Sequence, residues 1–294
     1  MKAESFNRND HGGSADPYHI VLLPNEKGIH LHLRELWDYR DLIFLMTRKT
    51  FTITYQQTLL GPLWILINPI LSSLLYVFLF GHVANIGTAG IPRILFYFVS
   101  SAIWELFSFS LTSNSSTFIT NAYLFSKVYF PRLVMPVSNM FVSIMKFGVQ
   151  VLIIAAAMAV YLMRGMIHPR WALFPLLPFL LLQMAVLGMG VGILVSSFTT
   201  RYRDLLALVQ LGVSLWMYAS PVVYPMAEIR PGVLKTILKI NPVTELMELI
   251  RLILLGEGEF DPAFYLLGLG ITVLMLVAGA AIFNRVERTF ADTV

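Results

Sequence analysis

The chain alternates long apolar runs with short polar breaks. Six runs approach or exceed the ~20 residues an α-helix needs to cross a bilayer: residues 60–83, 93–113, 133–163, 171–199, 205–225 and 263–283. They predict an all-α integral membrane protein with six transmembrane helices. Residues 30–58 carry a different pattern. Leu33, Leu36, Trp37, Ile43, Phe44 and Met46 fall mostly on one side of a helix, and Arg34, Asp38, Asp41, Arg48 and Lys49 on the other. This predicts an N-terminal amphipathic helix in the membrane interface. A soluble cap helix would show the same stripe, but the spanning run that follows at once favours the interface. Residues 1–29 are polar and broken by Gly12, Gly13, Pro17 and Pro24, as in a flexible tail. The expected organisation is therefore a cytoplasmic tail (1–29), an interface helix with its lead-in (30–58) and a six-helix domain (59–294).

The stretch between the fifth and sixth runs departs from this rhythm. Residues 228–260 hold two short helical patterns, 233–240 and 243–255, each opened by a proline, Pro231 and Pro242. Asn241 before Pro242 is a favoured helix start. Glu245, Glu248 and Arg251 make the second pattern too charged to span, and its leucines make it too apolar for a free loop. External half-helices dipping into the outer leaflet fit best. Such backbone is tolerated only where protein buries it or a wet cavity borders it.

Composition agrees with lipid as the solvent. Hydrophobic residues make up 57% and charged residues 13%, with mean hydropathy +0.71. A soluble domain carries roughly a quarter charged residues. The net charge of +4 is small and scattered, so nucleic acid is not an expected partner, and the useful question is where the positives lie. With the N-terminus inside, 13 Lys and Arg fall on cytoplasmic segments and 7 on external ones, leaving Lys146 within a helix. That bias places both termini in the cytoplasm. The first spanning run follows a polar leader, so its helix is expected to be an uncleaved anchor.

The chemistry-bearing residues are sparse. There is no cysteine and no Gly-Lys dipeptide, which rules out thiolate chemistry and a Walker phosphate loop in this chain. The six histidines are dispersed; His30 and His32 fall on different faces of a helix, so no metal site is expected. Gly188-Met-Gly190-Val-Gly192 lies inside an apolar run and reads as a small-residue surface for close helix packing, not a nucleotide fingerprint. A membrane enzyme would need clustered acids, bases or metal ligands at one depth, and none is visible. Glu105 and Lys146 each interrupt an apolar run. Counted inward from opposite ends of antiparallel helices at ~1.5 Å per residue, they reach similar depths and can pair; the alternative is that each reaches a wet cavity alone.

Five motifs occur in order: Tyr55-Gln-Gln-Thr-Leu-Leu-Gly-Pro-Leu-Trp64 entering the first spanning helix, Lys127-Val-Tyr-Phe-Pro-Arg132 with Pro136, Tyr202-Arg-Asp204, Ser220-Pro-Val-Val-Tyr-Pro225, and Asn241-Pro242 with Arg251. Together, over roughly residues 31–283, they resemble the permease subunits of ABC-type polysaccharide exporters, which move lipid-linked O-antigen, capsule or teichoic acid polymers. The resemblance implies a homodimer of permeases in the bacterial inner membrane. It implies two copies of a separate ABC ATPase that bind ATP and Mg, and an undecaprenyl-diphosphate-linked polysaccharide as substrate. A drug or simple-lipid exporter of the same superfamily is the runner-up. The resemblance also places a coupling helix at about residues 115–127, where Phe118, Asn121, Tyr123, Phe125 and Lys127 are the candidate ATPase contacts; an ordinary interfacial turn is the alternative. Pro231, Asn241, Pro242, Glu245 and Arg251 are candidates for an external gate, or for a lid that only packs on the dimer. On the second spanning helix Tyr97, Ser101, Trp104, Glu105, Ser108, Thr112 and Ser115 gather on one face at ~100° per residue. A polar-aromatic stripe suits a sugar path, or else it packs helix against helix within one monomer.

Overall fold

The computed structural model describes residues 33–291 except Gln57 and Tyr129; side chains are described from Leu36 to Phe283, Ser126 excepted. The expected tail, residues 1–29, lies outside the described residues. Helix α1 (Leu33–Asp38) and α2 (Arg40–Tyr55) form the stretch read as an interface helix. Leu36, Tyr39, Leu42, Ile43 and Met46 pack on Phe130, Val134 and Met135. Trp37 and Phe44, expected on the same stripe, are instead 70% exposed. The helix thus has two apolar sides, one for protein and one left open.

Among the described residues, five helical segments are long and apolar enough to cross a membrane: Gly61–Val83, Arg93–Ser115, Val134–Met163, Trp171–Thr199 and Pro262–Phe283. The first holds α3 (Trp64–Tyr76), the second is α4 (Arg93–Ser115), and two short helices, α5 (Thr117–Thr120) and α6 (Ala122–Lys127), lead to the third, α7 (Val134–Met163). Helix α8 (Leu177–Thr199) ends the fourth. The fifth predicted run forms a helix of only 14 residues, α9 (Leu205–Tyr218). At 1.5 Å per residue that is ~21 Å, against ~30 Å of hydrocarbon. The chain leaves the helix after Tyr218 because Pro221 and Pro225 lack the N–H a further turn needs. It then enters α10 (Val233–Ile240), α11 (Pro242–Leu255) and α12 (Pro262–Ala291).

Helix α4 is the most buried of the spans, with α8 and α7 against it. The glycines of α8 explain how backbones approach so closely. A Cβ on Gly188 would stand 2.6 Å from the Phe107 carbonyl oxygen, and one on Gly192 2.5 Å from that of Leu111. Gly190 serves the opposite side: a Cβ on Gly279 of α12 would meet the Gly190 oxygen at 2.6 Å. Helix α8 is therefore the spacer-free centre of an α4–α8–α12 layer, as its small-residue run predicts.

Every residue of α11 from Val243 to Leu255 is buried. Gly256 ends it in the left-handed region at φ +89°, and a Cβ there would lie 2.3 Å from the His168 oxygen, so only glycine fits. The loop before α8 satisfies the last carbonyls of α11: His168 N–H donates to Leu255 O at 3.3 Å and Arg170 N–H to Ile253 O at 2.9 Å.

Candidate transport site

The first motif forms the joint between α2 and α3. Gly61 takes φ +53°, a left-handed value that glycine adopts without strain, and Pro62 opens the turn that becomes α3. Pro69 then sits inside α3. It has no N–H for the carbonyl of Ile65 four residues earlier, and Gln150 of α7 supplies the missing donor, Nε2 to Ile65 O at 3.2 Å. The same amide donates to Glu105 Oε2 of α4 at 2.7 Å, and Glu105 Oε1 lies 3.9 Å from Lys146 Nζ. The pair expected between Glu105 and Lys146 is therefore present, with Gln150 as its third member. Lys146 Nζ stands 3.7 Å above the Phe109 ring and 5.9 Å from that of Tyr55. Burial, and after it the Glu105 carboxylate, push the Tyr55 phenol up to about 12, so Tyr55 stays neutral.

The stripe on α4 divides in two. Tyr97, Ser101, Trp104 and Ser115 are buried within the chain. The Tyr97 ring meets Tyr76 and Phe96 edge-on, at 6.2 and 5.3 Å between centroids. Ser101 Oγ lies 3.2 Å from Ser73 Oγ of α3, and Trp104 packs on Phe107. Glu105, Ser108 and Thr112 are half-buried. The hydroxyls of Ser108 and Thr112 donate to carbonyls of their own helix.

The residues read as ATPase contacts also divide. Phe118 is buried, its ring stacked 4.4 Å from Phe283 of α12. Phe125 is half-buried and lies between Phe118 and Phe130. Asn121 donates its amide to Thr117 O and ties α5 to α6. Tyr123 and Lys127 face outward, with the ammonium 4.4 Å above the ring.

At the other end of the bundle two of the expected gate residues, Asn241 and Arg251, bond to the Ser220–Pro225 motif, with Pro242 and Glu245 on the same helix; Pro231 stands apart, exposed before α10. Asn241 caps α11 by accepting from Val243 N–H at 3.1 Å. Its Oδ1 also accepts from Trp216 Nε1, and its Nδ2 donates to Ala219 O and Ser220 Oγ. Arg251, fully buried, pairs with Glu248 and donates to Pro221 O at 2.9 Å and to Ser100 Oγ of α4 at 3.4 Å. Its guanidinium lies 4.6 Å from the Phe96 ring. Glu248 accepts from Met226 N–H and Glu259 N–H, and Glu245 accepts from Asp261 N–H at 3.3 Å. Burial is the main reason the Glu245 carboxyl is pushed up to about 7. The loop's own acids pair with α10, Glu259 with Lys235 and Lys239, and Asp261 with Lys239.

The profile of ABC-2 type transporters matches residues 41–255, well over half of the chain. The chain belongs to the ABC-2 type transporter family. Among its curated relatives, the O-antigen export system permease protein RfbA of Klebsiella pneumoniae is 28% identical over 256 residues, which is 86% of this chain and 94% of that protein. A protein of the same name from Myxococcus xanthus is 28% identical over 266 residues, 89% and 98% of the two.

In this ABC-2 type chain, the matched region runs from α2 to the last turn of α11, so it contains Glu105, Lys146 and Gln150 as well as Asn241, Glu248 and Arg251. Two of these residues were not singled out from the sequence. Gln150 is a lone amide in an apolar run, and Pro69 nearby in the first run marks the carbonyl it serves; together they were a legible signal. Glu248, one of the charges that keep α11 from spanning, stands three residues before Arg251, a spacing that allows an ion pair on one helix face.

Proposed function

We propose that the chain is the permease subunit of an ATP-driven exporter of lipid-linked polysaccharide of the O-antigen kind. It acts as a homodimer with two copies of a separate ATPase, in the bacterial inner membrane, with both termini cytoplasmic. The carrier lipid is undecaprenyl diphosphate. The observation that carries this reading is the extent of the similarity. It covers nearly the whole of proteins named O-antigen export permeases, beyond the α2–α11 region common to the family.

The two ends of the bundle suit two tasks. Tyr123 and Lys127 form the outward face that meets the ATPase, while Phe118, Asn121 and Phe125 hold that face on the bundle. The substrate path uses the half-buried part of the α4 stripe, Glu105, Ser108 and Thr112, which sugar hydroxyls can reach without repacking the monomer. Tyr97, Ser101 and Trp104 set the helix spacing behind it. On the opposite side the segment from Pro231 through α11, with Asn241, Pro242, Glu245 and Arg251, gates the exit.

The test is reconstitution with the ATPase in vesicles. Lipid-linked polysaccharide should stimulate ATP hydrolysis and become accessible on the far side, and the permease alone should hydrolyse nothing. ATP turnover by the permease alone would overturn the division of labour. Stimulation by simple lipids or amphipathic drugs, with none by the polymer, would overturn the substrate. Cysteines at Ser108 and Thr112 should react with a water-soluble thiol reagent during turnover, and one at Ser101 should not.

A further inference from the structure

Between α2 and α7 lies an apolar groove of about 690 Å³, within the ~300–1,000 Å³ range of ligand sites. Trp37 and Phe44 form one wall, Phe141 and Met145 of α7 the other, and Arg40 and Arg48 stand along it. Arg40 is held over Trp37, donating to its carbonyl oxygen at 3.3 Å with the guanidinium 5.9 Å from the ring. Among the described residues, that leaves most of the five N–H donors of its guanidinium unused. Arg48 has no ion-pair partner among the described residues.

We propose that this groove holds a resident anionic phospholipid, one acyl chain between the aromatic walls and the phosphate on the arginines. Four observations select that occupant. Phe141 and Met145 continue along α7 into Leu152, which is 71% exposed; these positions share one helix face, so the groove opens onto the side of a spanning helix, where lipid is the neighbour. Along α2 the groove runs from Arg40 to Arg48, ~12 Å of helix, so it fits within one leaflet of a ~30 Å core. The protein has already closed the inner side of α2: Thr47 is buried, donating to Ile43 O, and Ser138 donates to the same carbonyl at 3.2 Å. Finally, two cations bordering an otherwise apolar groove complement a phosphate, and arginine suits phosphate by its planar donor fork.

The lipid would fix the Arg40–Arg48 stretch of α2 to α7. The site is separate from the α4 stripe and does not depend on which polymer is moved.

The test uses the full-length chain with its ATPase partner in nanodiscs, and brominated phosphatidylglycerol as the quenching probe. Quenching of the Trp37 component, defined by difference from Trp37→Phe, should saturate at lower mole fraction with brominated phosphatidylglycerol than with brominated phosphatidylcholine. Basic residues near an anionic lipid surface each strengthen binding about fivefold, so Arg40→Gln and Arg48→Gln should each weaken it by about that factor. Together they should remove the preference, and the Arg→Lys pair should restore part of it. Equal quenching by the two lipids would overturn the proposal, as would a preference untouched by either arginine. Displacement by a polyprenyl diphosphate at lower concentration would assign the groove to substrate instead. Quenching that appears only after deletion of residues 1–29 would assign it to the chain's own tail.

Discussion

The Gln150 amide donates to the Ile65 carbonyl at 3.2 Å, filling the place of the N–H that Pro69 lacks. A proline inside a spanning helix strands a carbonyl where no water can serve it, and neighbouring side chains are the usual remedy. The remedy here also binds Glu105, so one amide joins the joint helix α3 to both α4 and α7. Gln150→Leu should destabilise the purified complex by roughly 1–3 kcal/mol, the cost of leaving a buried group unsatisfied. In a Pro69→Ala background the Ile65 carbonyl regains a helical partner, and the same substitution should cost less. A double-mutant cycle on thermal unfolding reads the difference. Equal costs in the two backgrounds would mean that Gln150 matters only to Glu105.

Glu105 and Lys146 face each other across α4 and α7 with little solvent. Lys146→Met leaves a carboxylate without its cation in an apolar run, a situation that costs ~2.5–3.5 kcal/mol on insertion scales. Glu105→Lys should be at least as damaging, because it sets two ammonium groups together above Phe109. The double exchange, Glu105→Lys with Lys146→Glu, should recover much of the folded yield and stability. Its failure to recover would show that the Gln150 contact, which needs an acceptor on α4, outweighs the ion pair.

Tyr123 and Phe118 lie only five residues apart yet should give opposite phenotypes. Phe118 is stacked in the core against Phe283, and Phe118→Ala should lower stability by ~3–5 kcal/mol, as buried aromatic truncations do. Tyr123→Ala with Lys127→Ala should leave the permease's own unfolding unchanged, weaken co-purification of the ATPase and slow transport. Loss of stability in the second variant, with assembly intact, would move the ATPase contact elsewhere.

That pair also shows where sequence reading ran out. A run of ~20 apolar residues specifies a spanning helix almost irrespective of its neighbours, so the long spans and the glycine run of α8 were visible in the chain. The Asn241-Pro242 helix start was equally legible, because capping is chemistry within a few residues. The fifth run was harder: residues 205–225 are apolar throughout, but Pro221 and Pro225 cut the helix at Tyr218. Orientation was harder again. Phe118, Tyr123 and Phe125 all suit an anchor by type, and only the position of Phe283, 165 residues beyond Phe118, turns one of them inward. The stripe on α4 follows from helical periodicity alone. Which parts of it are enclosed was set by Tyr76 and Ser73 on α3, which no local pattern announces.

Glu245 makes the stability of the α10–α11 end depend on pH. The residue is 2% exposed. Burial is the largest influence on it and raises it from 4.5 to about 7. The Asp261 N–H and the Lys239 ammonium oppose that rise, and the carboxylates of Asp261 and Glu248 add to it. Between those two values the folded chain holds a proton that the unfolded chain has released. The contribution is therefore fully present below pH ~4.5, declines from there, and is lost as pH rises through ~7. A shift of this size corresponds to on the order of 3 kcal/mol. Glu245→Gln keeps an acceptor for Asp261 N–H but cannot ionise. Thermal unfolding in nanodiscs from pH 5 to pH 8.5 should fall for the native chain relative to the variant, so that the variant is the more stable form above pH ~7. The Lys239–Asp261 and Lys239–Glu259 pairs are common to both proteins and cancel in the difference curve. Parallel curves would show that Glu245 holds no proton in this window, and that Lys239 keeps its carboxylate charged in spite of burial.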